Sequence, residues 1–181
     1  SEILQPREGT FDFTLSDQFV EFGTANQQFI VGHTLVWHSQ TPSWFFVGED
    51  GRDVSREELI ARMKHHITTV VGRYKGKVHA WDVVNEAFED DGSYRKTKFF
   101  TIIGKEYIPL AFEFARTADP NAELYYNDYS MYHEGKRKAV IRLIEEMKSA
   151  GLRIDAVGMQ GHYTLAYPSL NSFAQSIQQL G

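Results

Sequence analysis

Glu86 is the residue whose type and position most directly suggest catalysis. It ends an apolar run, directly after Asn85 and four residues after Asp82. With the side-chain period of two in a strand, Asp82 and Glu86 are expected to point to the same side. A carboxyl group at a strand end can exchange a proton with a reacting oxygen, but a cap or ion-pair partner for the next helix explains Glu86 equally well. Asp82 is expected to be a buried hydrogen-bond acceptor that orients a histidine.

Three further segments place hydrogen-bonding and aromatic side chains where predicted strands end. They are residues 32–40 (GHTLVWHSQ), 126–129 (YNDY) and 160–163 (QGHY). Loops without a special function favour residues such as Gly, Pro and Ser, whereas these ends carry amide, carboxylate, imidazole and indole groups. Such groups can bind hydroxyls and stack on a flat apolar surface, and a sugar ring presents both. Trp37, beside His38 and Gln40, is expected to line this cleft.

The histidines do not follow the spacing of a metal site. His33 and His38 are five residues apart, unlike the i, i+4 pair of a helical zinc site, and the sequence has no His-x-His. It also has no cysteine, which excludes disulfides, zinc–thiolate sites and thiol nucleophiles. We therefore predict no metal and no cofactor, with imidazoles serving as hydrogen-bonding groups in a polar cleft.

These polar ends depend on an alternation of strands and helices. The predicted strands are residues 29–33, 78–84, 123–127 and 156–160. The predicted helices are residues 17–25, 55–71, 99–117, 134–150 and 172–180. Ser55 and Glu58 form a capping box for the second helix, and Gly151 is a C-cap after the fourth. The alternation predicts an α/β fold with a parallel sheet, which fits part of a (β/α)8 barrel or an open doubly wound sheet.

Composition and charge limit the classes of partner. The 181 residues are 42% hydrophobic and carry 19 Lys and Arg against 24 Asp and Glu, a formal charge of −5. A general nucleic-acid binder needs a basic face and a membrane span needs about 20 apolar residues in succession. Neither pattern occurs, so we predict no nucleic-acid and no membrane partner. A charged run in the fourth helix is expected to be a solvated face: Glu134, Lys136, Arg137 and Lys138.

Four motifs taken together resemble one known enzyme family. They are residues 32–40 (GHTLVWHSQ), 81–87 (WDVVNEA), 127–129 (NDY) and 158–162 (GMQGH). In this order they resemble the family-10 glycoside hydrolases, the endo-β-1,4-xylanases, and the likeness extends over practically the whole chain. The resemblance implies a (β/α)8 TIM barrel of which this chain supplies about strands three to six with their helices. Residues 1–181 would then be a partial catalytic domain, an incomplete barrel.

The resemblance also implies a role for each site residue. The family cleaves β-1,4-xylan with retention of configuration, and Glu86 would be its general acid/base. Asn85 would bind the sugar 2-hydroxyl, and Asp82 would be hydrogen-bonded behind His162 as structural support. The implied substrate-binding residues are His33, Trp37, Gln40, Asn85, Tyr129, Gln160 and His162. The implied partners are xylan and xylo-oligosaccharides, and the implied location is secreted or at the cell envelope.

Two family motifs are absent from these 181 residues. One is the Ile-Thr-Glu-Leu-Asp type motif that carries the nucleophilic Glu, and the other is a Glu-Asn-x-Met-Lys motif that supplies sugar ligands. Because retaining hydrolysis needs two carboxyl groups, we expect the isolated chain to have little or no activity. The missing barrel segments would come from the same polypeptide or from another chain. The alternatives are a non-catalytic xylan-binding or scaffold derivative, and a related barrel hydrolase that acts on β-glucan.

Overall fold

The computed structural model describes residues 2–181 and contains one four-stranded parallel sheet. The strands are β1 (Val31–Trp37), β2 (Ala80–Asn85), β3 (Glu123–Asp128) and β4 (Ala156–Met159). Each strand pairs in parallel with the next one along the chain, in the order β1-β2-β3-β4. All four predicted strands are therefore confirmed, although β1 extends four residues beyond its predicted end, as far as Trp37.

The strand order decides between the two architectures that the alternation allowed. A doubly wound sheet reverses its strand order at a switch point, and this sheet does not. Parallel crossovers are right-handed in nearly all proteins, so consecutive crossovers place their helices on one face of the sheet. This is the arrangement of a (β/α)8 barrel, of which the described residues contain four strands. Within residues 2–181, the outer edges of β1 and β4 are unpaired.

Within residues 2–181, six α-helices and one short 3-10 helix (Ser43–Phe45) accompany the strands. The α-helices are numbered in chain order. They are α1 (Thr14–Ala25), α2 (Arg56–Arg73), α3 (Lys98–Ile103), α4 (Tyr107–Ala118), α5 (Glu134–Ser149) and α6 (Leu170–Leu180). The Ser55 hydroxyl accepts a hydrogen bond from the Glu58 amide, 3.1 Å away, which confirms the Ser55 half of the predicted capping box. The Glu58 carboxylate pairs with Arg62 at 2.7 Å. The predicted helix over 99–117 is split, because Gly104 has φ +90° and cannot continue a helix. Among the described residues, no helix combines the length and apolar character needed to cross a membrane.

The hydrophobic core lies between the sheet and helices α2 and α4. Every residue of β2, one of the two inner strands, is buried, so this strand is a rigid support for the segment that follows it. These helices and β3 contribute several large apolar side chains with almost no exposure: Leu59, Met63, Ile67, Ile108, Phe112 and Leu124.

The charged run on α5 differs from its prediction. Lys136 and Arg137 are buried, so the prediction of a solvated face is wrong for these two residues. The Lys136 ammonium lies 3.2 Å from Asp128 and 3.0 Å from Asp90. The Arg137 guanidinium donates to the backbone carbonyl of Met131, 3.3 Å away. Lys136 thus pairs with two carboxylates and Arg137 with neutral acceptors. These partners lie outside the helix, so the charge pattern of the helix does not reveal them.

His66 is a buried histidine on α2. Its Nδ1 atom lies 2.7 Å from Oε1 of Gln5, a residue that is also buried. Burial disfavours the charged imidazolium and lowers the pKa of His66 from 6.5 to about 3. The folded chain therefore holds this imidazole in its neutral form throughout the neutral and mildly acidic range.

We expect acid to destabilise the fold through His66. The pKa of His66 is 6.5 in the unfolded chain and about 3 in the folded chain. Between these two pH values, only the unfolded state binds a proton at His66. The free energy of unfolding should fall by about 1.4 kcal/mol per pH unit below about pH 6, with no contribution from His66 above pH 7. Urea unfolding of the wild type and His66→Gln at several pH values measures this difference.

The exposed neighbour His65 provides the control for this experiment. His65→Gln should keep the full acid-dependent loss of the wild type, because its imidazole is accessible to water in both states. An equal loss of stability in His66→Gln and the wild type between pH 7 and pH 4 would contradict the assignment.

Candidate active site

The pairing register of the sheet brings the carboxyl ends of the four strands to one level. Trp37 is paired with Asn85, Asn85 with Asn127, and Asn127 with Gly158. Glu86 follows this row directly. Side chains that are 30 to 120 residues apart in the sequence therefore meet at one edge of the sheet, where α/β folds commonly place their sites.

The Glu86 carboxylate is held by three neutral hydrogen-bond donors. Oε2 accepts from the Trp37 indole nitrogen at 2.9 Å. Oε1 accepts from the amide nitrogens of Asn85 at 3.2 Å and Gln160 at 3.1 Å. The side chain is 12% exposed, so it is fixed in position but still reachable from the cleft.

The backbone of Glu86 is strained and is held on both sides. Its φ of +59° lies in the left-handed region, which costs a residue other than glycine about 1–3 kcal/mol. Its amide donates to the Asn127 carbonyl at 2.9 Å, and its own carbonyl accepts from Nε of Arg95 at 3.1 Å. Because β2 ends at Asn85, the predicted alternation from Asp82 does not extend to Glu86. The left-handed turn, and not the strand period, sets the direction of the carboxylate.

Asn127 is a functional candidate to which the sequence analysis assigned no role. Its amide nitrogen donates to Oδ1 of Asn85 at 2.9 Å, and the same oxygen accepts from Gln160 at 3.1 Å. Gly158 leaves room for it, since a Cβ there would lie 2.3 Å from Oδ1 of Asn127. The signal that could have identified it is its place at the end of the strand next to Asn85.

Asp82 orients a histidine, but not the one that the resemblance implied. Oδ2 of Asp82 lies 2.8 Å from Nδ1 of His33. The register of β1 and β2 pairs these two residues directly, whereas His162 follows β4, two strands away from β2. The carboxylate fixes the ring of His33, whose side chain is half exposed toward the cleft.

Gln160 and His162 lie together after β4. His162 Nε2 is 2.9 Å from Oε1 of Gln160. The Gln160 backbone amide donates to the Asp128 carbonyl at 2.9 Å. With its carbonyl oxygen engaged by the imidazole, the Gln160 side chain points its amide nitrogen at Glu86. His162 is exposed and supports Glu86 through Gln160.

Gln40 and Tyr129 occupy different places. Gln40 lies with His33 and Trp37 around a cavity of about 60 Å³ at the end of β1. Tyr129 is half-buried, and its hydroxyl accepts from Arg95 at 2.8 Å. The Lys136 ammonium lies 3.9 Å from its ring centroid. The structure thus brings Gln40 to the cleft wall near Trp37, and it sets Tyr129 among basic side chains.

A buried ion pair supports the segment after Glu86. The Ala87 amide donates to the Tyr126 hydroxyl at 3.0 Å, and that hydroxyl donates to Asp128 at 2.5 Å. The Lys136 ammonium pairs with the other Asp128 oxygen at 3.2 Å. Burial raises the pKa of Asp128 above its ordinary value, against the lowering effects of Tyr126 and Lys136. The network fixes the chain one residue beyond the candidate acid.

His38 is a second imidazole near Glu86. Its Nε2 atom lies 4.0 Å from Oε2 of Glu86. Burial lowers the pKa of His38 first, and the positive charge of Arg95 lowers it further, while Glu86 and Glu89 act in the opposite direction. The ring is therefore neutral near pH 7 and can donate one hydrogen bond. Among residues 2–181, no three His, Asp or Glu side chains are grouped as a metal site would need.

Comparison with known proteins gives one consistent family. Residues 1–181 match the sequence profile of Glycosyl hydrolase family 10. The chain is 54% identical over 177 residues to endo-1,4-beta-xylanase A of Xylanibacter ruminicola, covering 98% of this chain and 48% of that protein. The chain therefore spans about half the length of this relative.

Solved structures agree with the sequence comparison. A family-10 endoxylanase retrieved from a sugarcane soil metagenome superposes with a TM-score of 0.96 at 44% identity, over 99% of this chain and 52% of that one. An intracellular xylanase of Thermoanaerobacterium saccharolyticum, solved as a variant in complex with xylotetraose, superposes with a TM-score of 0.94 at 38% identity. That match covers 99% of this chain and 58% of the other.

We expect the fold to depend on the buried pair of Lys136 and Asp128. Lys136→Ala leaves the Asp128 carboxylate buried without its cation, which should lower the free energy of unfolding at pH 7 by about 3–5 kcal/mol. Urea unfolding measures the loss. Lys138→Ala, two residues along the same helix and exposed, should change stability by less than about 1 kcal/mol. Equal effects of the two substitutions would refute a special role for Lys136.

Proposed function

The chain belongs to Glycosyl hydrolase family 10, a family of (β/α)8 barrels, and we propose that it supplies the acid/base side of a retaining endo-1,4-β-xylanase active site. The observation that carries this proposal is the Glu86 carboxylate, held by Trp37, Asn85 and Gln160 at the carboxyl edge of the sheet. The three N–H donors hold this carboxylate in one orientation at the open edge of the sheet, and a group that transfers protons to and from a substrate needs such a fixed position. On this proposal, residues 1–181 are part of a larger catalytic domain.

The proposed reaction is a double displacement. A carboxylate nucleophile attacks the anomeric carbon, the bond to the glycosidic oxygen breaks, and protonated Glu86 gives its proton to that leaving oxygen. In the second step the Glu86 carboxylate accepts a proton from water, which attacks the anomeric carbon and releases the nucleophile. The contacts of Glu86 within residues 2–181 include no second carboxylate. The nucleophile is therefore assigned to a segment or chain that completes the barrel.

The proposed substrates are xylan and xylo-oligosaccharides. Trp37 and His33 form one wall of the cleft, where the indole offers an apolar face and the imidazole a hydrogen-bonding edge. The Asn85 amide, next to Glu86, is the group proposed to bind the sugar 2-hydroxyl, and the Gln160 amide supports it. Secretion or attachment to the cell envelope stays a prediction. The similar xylanase of T. saccharolyticum is intracellular, so residence inside the cell is compatible with this fold.

We expect Glu86→Gln to abolish most xylan hydrolysis in a complete barrel. A chimera in which residues 1–181 replace the matching segment of the X. ruminicola xylanase supplies that barrel. The substitution removes the proton donor and should lower turnover on xylan by about 10²- to 10⁴-fold. On an aryl xylobioside with a nitrophenolate leaving group the first step needs no proton, so kcat/KM, which reports that step, should fall much less. The values of kcat/KM on both substrates measure the difference.

The control for this variant is Glu113→Gln, on the exposed surface of α4, which should leave both rates unchanged. Equal losses of kcat/KM on xylan and on the aryl xylobioside would contradict a proton-donating role for Glu86. Assays of the unsubstituted chimera on barley β-glucan separate a xylanase from a β-glucan hydrolase of similar fold.

The purified 181-residue chain is expected to bind xylo-oligosaccharides without cleaving them. Release of xylobiose from xylan measures cleavage, and calorimetric titration with xylohexaose measures binding, with Trp37→Ala as the variant that should weaken it. Turnover comparable to that of an intact xylanase would refute the need for a second carboxylate from elsewhere. Within residues 2–181 the hydrogen bonds of Glu86 include no second carboxylate, which also fits the alternative of a non-catalytic xylan-binding derivative. An inactive chimera that still binds xylohexaose would support this alternative.

A further inference from the structure

Arg95 makes an unusual number of contacts for a loop residue near the site. It lies between β2 and α3, and its side chain is only 18% exposed. Its Nε atom donates to the Glu86 carbonyl at 3.1 Å, and Nη2 donates to the Phe88 carbonyl at 3.2 Å and to the Tyr129 hydroxyl at 2.8 Å. Nη1 pairs with Glu89 at 3.3 Å. One guanidinium therefore joins the end of β2 to the residue that follows β3.

The backbone of Glu86 needs such support. A residue other than glycine keeps a left-handed conformation only where its surroundings fix it. The Asn127 carbonyl fixes the amide side of Glu86, and Arg95 is the group that fixes the carbonyl side. The carboxylate direction follows from this backbone, and that direction allows the hydrogen bond to the Trp37 indole.

We propose that Arg95 is a positioning residue for Glu86: its planar guanidinium locks the left-handed turn and so holds the carboxylate against Trp37 in the reactive orientation. This inference rests on the acid/base role proposed for Glu86. Arg95 itself contacts no reacting atom. A lysine cannot replace it, since one ammonium group cannot reach the Glu86 carbonyl, the Phe88 carbonyl and the Tyr129 hydroxyl in a fixed fork.

Tyr129 takes a different role under this proposal. Its hydroxyl accepts from Arg95, and its ring lies against both Arg95 and the buried Lys136, at 5.8 and 3.9 Å from the ring centroid. The resemblance assigned Tyr129 to substrate binding, whereas these contacts make it a support for Arg95. Tyr129→Phe should therefore give a weaker form of the same defect as the loss of Arg95.

The test uses the chimeric barrel with Arg95→Gln and Arg95→Lys. Both variants should lower kcat on xylan by about ten- to hundredfold with KM changed by less than about twofold, because a misplaced acid affects the reaction more than binding. The matched control is Arg56→Gln. Arg56 also donates through Nε to a carbonyl, that of Ile103 at 3.2 Å, but lies away from Glu86, so both constants should stay unchanged.

A second measurement reports on position without any activity. In protein labelled with ¹⁵N-tryptophan, the Trp37 indole N–H signal, assigned with Trp37→Phe, monitors the hydrogen bond to Glu86. Arg95→Gln and Arg95→Lys should shift this signal and speed its exchange with water, as Glu86→Gln should, while Arg56→Gln should not. An unchanged indole signal, or an unchanged kcat in a chimera that needs Glu86, would overturn the proposal. A chimera that is inactive without any substitution would count against the proposed function, and the indole signal would still decide the role of Arg95.

Discussion

The left-handed backbone at Glu86 is the constraint on which the rest of the site depends. If β2 continued through Glu86, the two-residue period of a strand would point this side chain either toward the cleft or away from it. The turn instead directs the carboxylate between the indole of Trp37 and the amides of Asn85 and Gln160. Most other polar contacts at this edge of the sheet either hold that turn or hold a group that touches the carboxylate.

Support for the turn is layered from the surface inward. Nearest the cleft, neutral amides and an indole contact the carboxylate itself. Beneath them, the Tyr126 hydroxyl links the Ala87 amide to the ion pair of Asp128 and Lys136. The ion pair of Asp128 and Lys136 is thus one layer away from the Glu86 carboxylate, where it stabilises the chain without contacting that group. A rigid polar layer under a strained residue is a common way for folds to maintain a geometry that the chain would not adopt alone.

The sequence predicted the elements well and the contacts between them less well. Strands and helices follow from periodicity, and the cap at Ser55 and the stop at Gly151 follow from single residue types. The burial of Lys136 could not be predicted locally, because its partner Asp128 lies on the preceding strand. The pairing of Asp82 with His33 depends on the register of two strands, and the fork of Arg95 depends on a loop conformation. These contacts are all between segments, which periodicity within one segment cannot encode.

The count of helices has a consequence for how this sheet can be closed. Helix α1 precedes the first strand, α6 follows the last, and α3 and α4 together form one crossover. If α3 and α4 are counted as one helical layer, the four strands are accompanied by five helical layers. A closed barrel has eight strands and one helical layer for each. In the part of the chain that the structure describes, each strand therefore lies between two helices in the sequence, including β1 and β4, whose outer edges are unpaired. A barrel of eight strands built on this sheet adds four strands but only three helical layers.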